Sequence, residues 1–219
     1  MLGIVLLFLS VLLVFRWVPV PTSAFIYHQN ALHAAEPAIY KAANFEWTDW
    51  DNIPPELALA VLTAEDQRFP THWGIDTIEL RNVYDDWRAG KAVRGASTIT
   101  QQLAKNLFLW NGRSYVRKMV EIVLSVSMEL VWSKQRILEV YLNVAQFADV
   151  TFGVKASSKL LFDKEPMELT REECAMLAAV LLTPAKSNAN EPSETLQKRH
   201  AWILKHMDKL GGVDYLRKL

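Results

Sequence analysis

Residues 54–74 read PPELALAVLTAEDQRFPTHWG. Pro54 and Pro55 suit the first turn of a helix, where the missing amide donor costs nothing. Leu57, Val61, Glu65 and Phe69 then recur at spacing four, so they share one helical face and predict a helix running on toward Phe69. That face ends in acid. Partial burial makes a carboxylate a better proton acceptor, so Glu65, aimed where the apolar residues aim, is read as a general base, with Asp66 beside it.

The same period governs most of the chain beyond residue 44. GASTITQQLAKNLF (95–108) opens with a turn at Gly95, an N-cap at Ser97 or Thr98 and a Thr98–Gln101 capping box, followed by a core stripe of Ile99, Leu103 and Leu107. Further helices are predicted from Ser114 through YVRKMVEIVLSVSMELVW, over SKQRILEVYLN (133–143), from Thr170 with a second T-x-x-E box, and over SETLQKRHAWILKHM (193–207), stopped by Gly211 and Gly212. No sustained strand alternation, internal repeat or low-complexity linker interrupts them. The fold class is mainly α.

A chain of 219 residues supports one sizeable core with an appendage, and its formal charge of zero gives no reason to expect a nucleic-acid partner. The single cysteine, Cys174, sits in an apolar helical context that predicts a buried, inert thiol. The appendage is N-terminal. MLGIVLLFLSVLLVF carries no charge, and RWVPVP extends it to the ~20 residues a bilayer-spanning helix needs. Residues 1–20 are therefore read as a transmembrane anchor, with Trp17 near the interface, 21–49 as a connector and 50–219 as the catalytic domain. A signal peptide fits less well, since there is no basic start and only TSA at 22–24 suggests a cleavage site, and a buried helix of a soluble domain fits less well still. Arg16 alone would put its C-terminal side in the cytoplasm, so charge does not settle the orientation.

Several polar residues remain over. Thr98, Gln101, Gln102 and Lys105 lie opposite the Ile99 stripe, either as a solvated face or as a surface of donors with one cation. Arg113, Arg117 and Glu121 repeat at spacing four, either as an intrahelical ion pair or as a charged cluster at the head of a helix that is apolar nearly all round. Taken together with a membrane anchor and a base, these groups suit a reaction on a lipid-linked diphosphate sugar, the cations neutralising the leaving diphosphate.

EDQRFPTHWG, RGASTITQQLAKNLF, GRSYVRKMVE and KQRILEVYLN, in that order, resemble the signature blocks of the peptidoglycan glycosyltransferases, and the size of the chain resembles their monofunctional biosynthetic members. The resemblance runs over residues 50–185. It implies a lysozyme-like helical domain with a membrane-associated jaw subdomain and an N-terminal transmembrane helix, held at the cytoplasmic (inner) membrane with the domain on the periplasmic face. The implied reaction polymerises lipid II by inverting transfer, Glu65 deprotonating the acceptor GlcNAc 4-hydroxyl for attack on a diphosphate-linked MurNAc. Carried over by position, Glu65 and Glu121 are the catalytic glutamates, and Asp66 is a positioning carboxylate. Ser97, Thr98, Gln101 and Gln102 line the sugar cleft, and Lys105, Arg113, Arg117 and Lys118 bind the donor.

Glu121 is also implied as a ligand for a divalent metal (Mg2+ or Mn2+); no organic cofactor is expected. The implied partners are lipid II and the growing glycan strand, the membrane, and other cell-wall or division proteins. His72 is read as ordering its loop, and Trp110 and Trp132 as jaw or interfacial aromatics. The chain departs from the family at Ala148 and Val150, where glycines are expected. Two alternatives stay open. A lytic muramidase of the same fold would have no use for Lys105 and Arg113, and a non-catalytic membrane-anchored scaffold would be indifferent to Glu65.

Overall fold

The computed structural model describes residues 2–91, 95–112, 114–184, 189 and 192–219. They form α1 (Leu2–Val14), α2 (Ala24–Ala35), α3 (Pro55–Glu65), α4 (Thr77–Arg88), α5 (Ile99–Phe108), α6 (Tyr115–Val131), α7 (Lys134–Val144), α8 (Val154–Phe162), α9 (Arg171–Val180) and α10 (Glu194–Leu210). Three short strands, β1 (Asn44–Phe45), β2 (Gln146–Ala148) and β3 (Thr151–Phe152), make a sheet in the order β1-β3-β2, parallel then antiparallel.

α3 is the axle. Every residue from Leu57 to Thr63 is buried, because α9 and α10 pack on it and the C-terminal 3-10 helix Gly212–Lys218 closes its remaining side. The single apolar face expected from the spacing of four is thus a fully buried helix, rich in alanine so that neighbours approach closely. It also stops earlier than expected. Asp66 caps it, and Phe69 lies in a separate 3-10 turn, Phe69–Thr71, still fully buried.

Caps set the other boundaries. Thr98 and Gln101 form the expected reciprocal box on α5, Thr170 and Glu173 do so on α9, Ser114 caps α6, and Gly211 ends α10 in the left-handed conformation. Cys174 is buried on α9, and burial pushes its thiol up to about 12.

Two glycines hold approaches that no other residue could. Gly74, at φ +80, lets its loop cross Ser125 of α6, whose backbone would lie 3.1 Å from an added Cβ. Gly153, also at φ +80, sits where a Cβ would fall 2.4 Å from the Asn143 carbonyl oxygen, and Asn143 pins Thr48 from both sides of its amide. Gly153→Ala combines backbone strain with a backbone clash and is expected to cost about 2–4 kcal/mol, measurable as a fall in unfolding midpoint. By contrast Ala148 and Val150 need no glycine. Among the described residues Asp163 is the only non-glycine at positive φ, and the Val150 carbonyl accepts the Asn44 amide to join β1 to the hairpin.

The N-terminal helix differs from expectation. α1 has 13 residues, or about 20 Å at 1.5 Å per residue, and among the described residues no helix is long and apolar enough to cross a membrane. It is docked, not dangling. Leu12 is fully buried in the core, its carbonyl accepts the indole N–H of Trp132 at 2.7 Å, and Arg136 donates to the carbonyls of Phe15 and Val18. Trp132 is therefore a buried clamp on α1, and Trp110 is the exposed aromatic of the pair. Deleting residues 1–18 removes one core leucine and three hydrogen bonds, an expected loss of about 2–4 kcal/mol, or roughly 5–15 °C in midpoint for a domain of this size. An unchanged midpoint in detergent would contradict the docking.

Candidate active site

The loop after α3 is tied down before any chemistry is possible. Asp66, buried, accepts from His72 Nε2 with both carboxylate oxygens at 3.0 Å and from the Ile99 amide at 3.0 Å. One carboxylate thus joins the end of α3 to the start of α5. The Thr98 hydroxyl donates to the Gly74 carbonyl at 2.7 Å, and Lys134 donates to the His72 carbonyl while pairing with Glu129 at 2.7 Å. Burial, chiefly, holds the Lys134 ammonium below the usual lysine range, opposed by its hydrogen bond to Glu129.

Glu65 stands at the end of this scaffold with both oxygens engaged. Oε1 accepts from Arg199 Nη2 on α10 at 2.7 Å, and Oε2 accepts from the Gln102 amide on α5 at 2.9 Å. The Gln102 carbonyl accepts in turn from the hydroxyl of fully buried Tyr141 on α7 at 2.9 Å. Burial above all, then the Glu65 charge, pushes that phenol well above its ordinary range, so it stays a neutral donor. The carboxylate expected to act through burial alone is an ion pair in a hydrogen-bonded chain. Arg199 and Tyr141 were not anticipated. The available signal was Arg199's place on the buried side of α10, between Leu196 and Ile203.

One turn farther along α5 lies Lys105, at i+3 from Gln102 and so on the same side of the helix. It faces the head of α6, where buried Glu121 is held by Arg117 Nη1 at 2.8 Å and by Lys118, which also donates to exposed Ser97 at 3.3 Å. Burial is the main cause that lowers the Lys105 pKa; Glu121 works against it, and Arg117 and Lys118 add to it. Its ammonium lies 5.4 Å from the centroid of the Phe25 ring of α2, so the connector roofs this cluster. The Arg117 Nε is buried without a hydrogen-bond partner.

The residues named from sequence therefore separate. Glu65, Gln102, Lys105, Arg117, Lys118 and Glu121 converge along α5, with Ser97 at the rim. Thr98 and Gln101 are buried in the capping box, so the face opposite the Ile99 stripe is not a solvated one. Arg113 lies outside the described residues. A divalent ion does not fit Glu121. Both its oxygens carry cations, three positive side chains surround it, and among the described residues no group of three His, Cys, Asp or Glu is placed to hold a metal.

What the arrangement offers is a fixed carboxylate beside a pocket of charge. Three cations against one glutamate leave two positive charges, the complement of a doubly charged diphosphate diester. The family model described as transglycosylase matches residues 30–208, a span that includes every one of these side chains. The chain belongs to the transglycosylase family. It is 44% identical over 205 residues, 94% of this chain and 84% of the relative, to a biosynthetic peptidoglycan transglycosylase of Mannheimia succiniciproducens. Proteins of the same description from Yersinia pestis and Yersinia pseudotuberculosis are 42% identical over 217 residues, 99% of this chain and 90% of theirs. As a transglycosylase with a helical fold, the protein is an enzyme of glycosyl transfer, and the scaffold reading is not favoured.

Proposed function

We propose that the protein is a peptidoglycan glycosyltransferase that polymerises lipid II. The observation carrying this reading is the placing of the cation cluster one helical turn along α5 from Gln102, the residue that holds Glu65, because a glycosidase acting on a neutral bond has no charged leaving group to neutralise. In the step, the acceptor GlcNAc 4-hydroxyl gives its proton to Glu65. The freed oxygen attacks the anomeric carbon of the donor MurNAc from the face opposite the diphosphate, the bond from that carbon to the diphosphate oxygen breaks, and the departing electron pair is stabilised by Lys105, Arg117 and Lys118. Configuration inverts.

Such a donor is presented by a membrane, and three exposed apolar faces support a seat on one. They are Leu7, Leu13 and Val14 of α1, Val116, Met119, Val123 and Leu130 of α6, and Ile78, Leu80, Tyr84 and Trp87 of α4, with α1 packed directly on α6. We place the catalytic face on the outer side of the cytoplasmic membrane, where the acceptor strand is. The test is incubation of the detergent-solubilised protein with labelled lipid II. Polymer that a muramidase digests is expected, and lipid II recovered intact or as free disaccharide overturns the reading.

A further inference from the structure

Arg199 reaches Glu65 across 134 residues of sequence and is the one described cation on it. The groups facing the Glu65 carboxylate are Arg199 from α10, neutral Gln102 from α5, neutral Tyr141 behind Gln102 from α7, and Asp66 at the end of its own helix. Asp66 is occupied by His72 and the Ile99 amide, so the charge on Glu65 is answered by Arg199 alone among the described residues. The Arg199 Nη2 also lies 3.4 Å from the Ala64 carbonyl, and its Nε is buried without a partner.

One function follows from this geometry. A carboxylate gripped from two sides by donors on two helices cannot rotate, so its remaining lone pairs keep one direction. We propose that Arg199 is a positioning residue for the base, holding the Glu65 carboxylate aimed in concert with Gln102. The proposal rests on the reading of Glu65 as the base.

The experiment is steady-state polymerisation of lipid II by Arg199→Gln and Arg199→Lys, beside the parent and Glu65→Gln, with unfolding midpoints measured for each. Without the guanidinium the carboxylate loses one of its two grips, so the kcat of Arg199→Gln should fall by roughly 10-fold to 100-fold, while KM for lipid II changes less than about threefold. Arg199→Lys keeps a charged donor and loses the planar grip, so its kcat should lie between those of the parent and Arg199→Gln. A parent-like kcat in Arg199→Gln, or a loss carried by KM, overturns the proposal even if Glu65→Gln is inactive. Should Arg199→Gln fail to fold, a parent-like kcat or a loss carried by KM in Arg199→Lys overturns it, and a lowered kcat with KM kept supports it. An active Glu65→Gln sinks the base itself, whatever Arg199 does.

Discussion

Glu65→Gln is expected to lower polymerisation of lipid II by about 100-fold to 10,000-fold with the fold intact, because it removes a general base and little else. The amide is nearly isosteric with the carboxylate and can still accept from Arg199 through its carbonyl. Its amino group, however, meets the amide of Gln102, which must turn over and give up the Tyr141 hydroxyl to avoid donor against donor. The cost of that rearrangement is on the order of one hydrogen bond, about 1 kcal/mol. A midpoint close to the parent with turnover nearly gone is therefore the predicted pattern. Steady-state rates above a tenth of the parent would contradict the base assignment.

Lys105→Met is expected to do two opposite things. Its ammonium is held partly buried beside Arg117 and Lys118, and one glutamate serves all three. The folded chain thus holds the Lys105 proton less tightly than the unfolded chain does. The group opposes folding while both states are protonated, and the penalty fades as pH rises through its lowered value toward 10.5. Replacing it with a neutral side chain of similar length should leave the midpoint unchanged or raise it slightly near neutral pH. Turnover should nevertheless fall by roughly 30-fold to 1,000-fold, the result of losing about 2–4 kcal/mol of stabilisation of the leaving diphosphate. Stability gained against activity lost is the signature of a charge placed for a ligand. Parallel loss of both would make Lys105 a structural residue, and loss of neither would put the donor elsewhere.

The parts of the fold legible in sequence are those governed by local chemistry. The capping boxes at Thr98 and Thr170, the serine caps of α6 and α7 and the glycine stop of α10 depend on residues a few positions apart, and each stands as expected. α2, α4 and α8 were less legible. α4 buries no residue, so it has no core-facing stripe to betray it, and α2 buries only Ile26. The sheet escaped because strands of two or three residues are too short to alternate.

At the site, the ends of α3 and α5 and the head of α6 were legible because each mixes charge into an apolar pattern. The burial of Thr98 and Gln101 was not legible, because helical position says which residues share a side but not what covers that side. The seat of α1 was not legible either. Leu12, Trp132 and Arg136 bind this apolar helix to the domain through contacts that only tertiary structure brings together. Arg199 is the clearest omission, an arginine among Leu196, Ile203 and Met207 whose partner lies on another helix.

The most direct test of the whole account is to follow lipid II labelled in both its sugar and its diphosphate during turnover by the purified full-length protein. One polyprenyl diphosphate is expected to be released for each disaccharide joined, at equal slopes, with both slopes abolished together in Glu65→Gln. Disaccharide released to water without polymer, or diphosphate release that persists in Glu65→Gln, would contradict it.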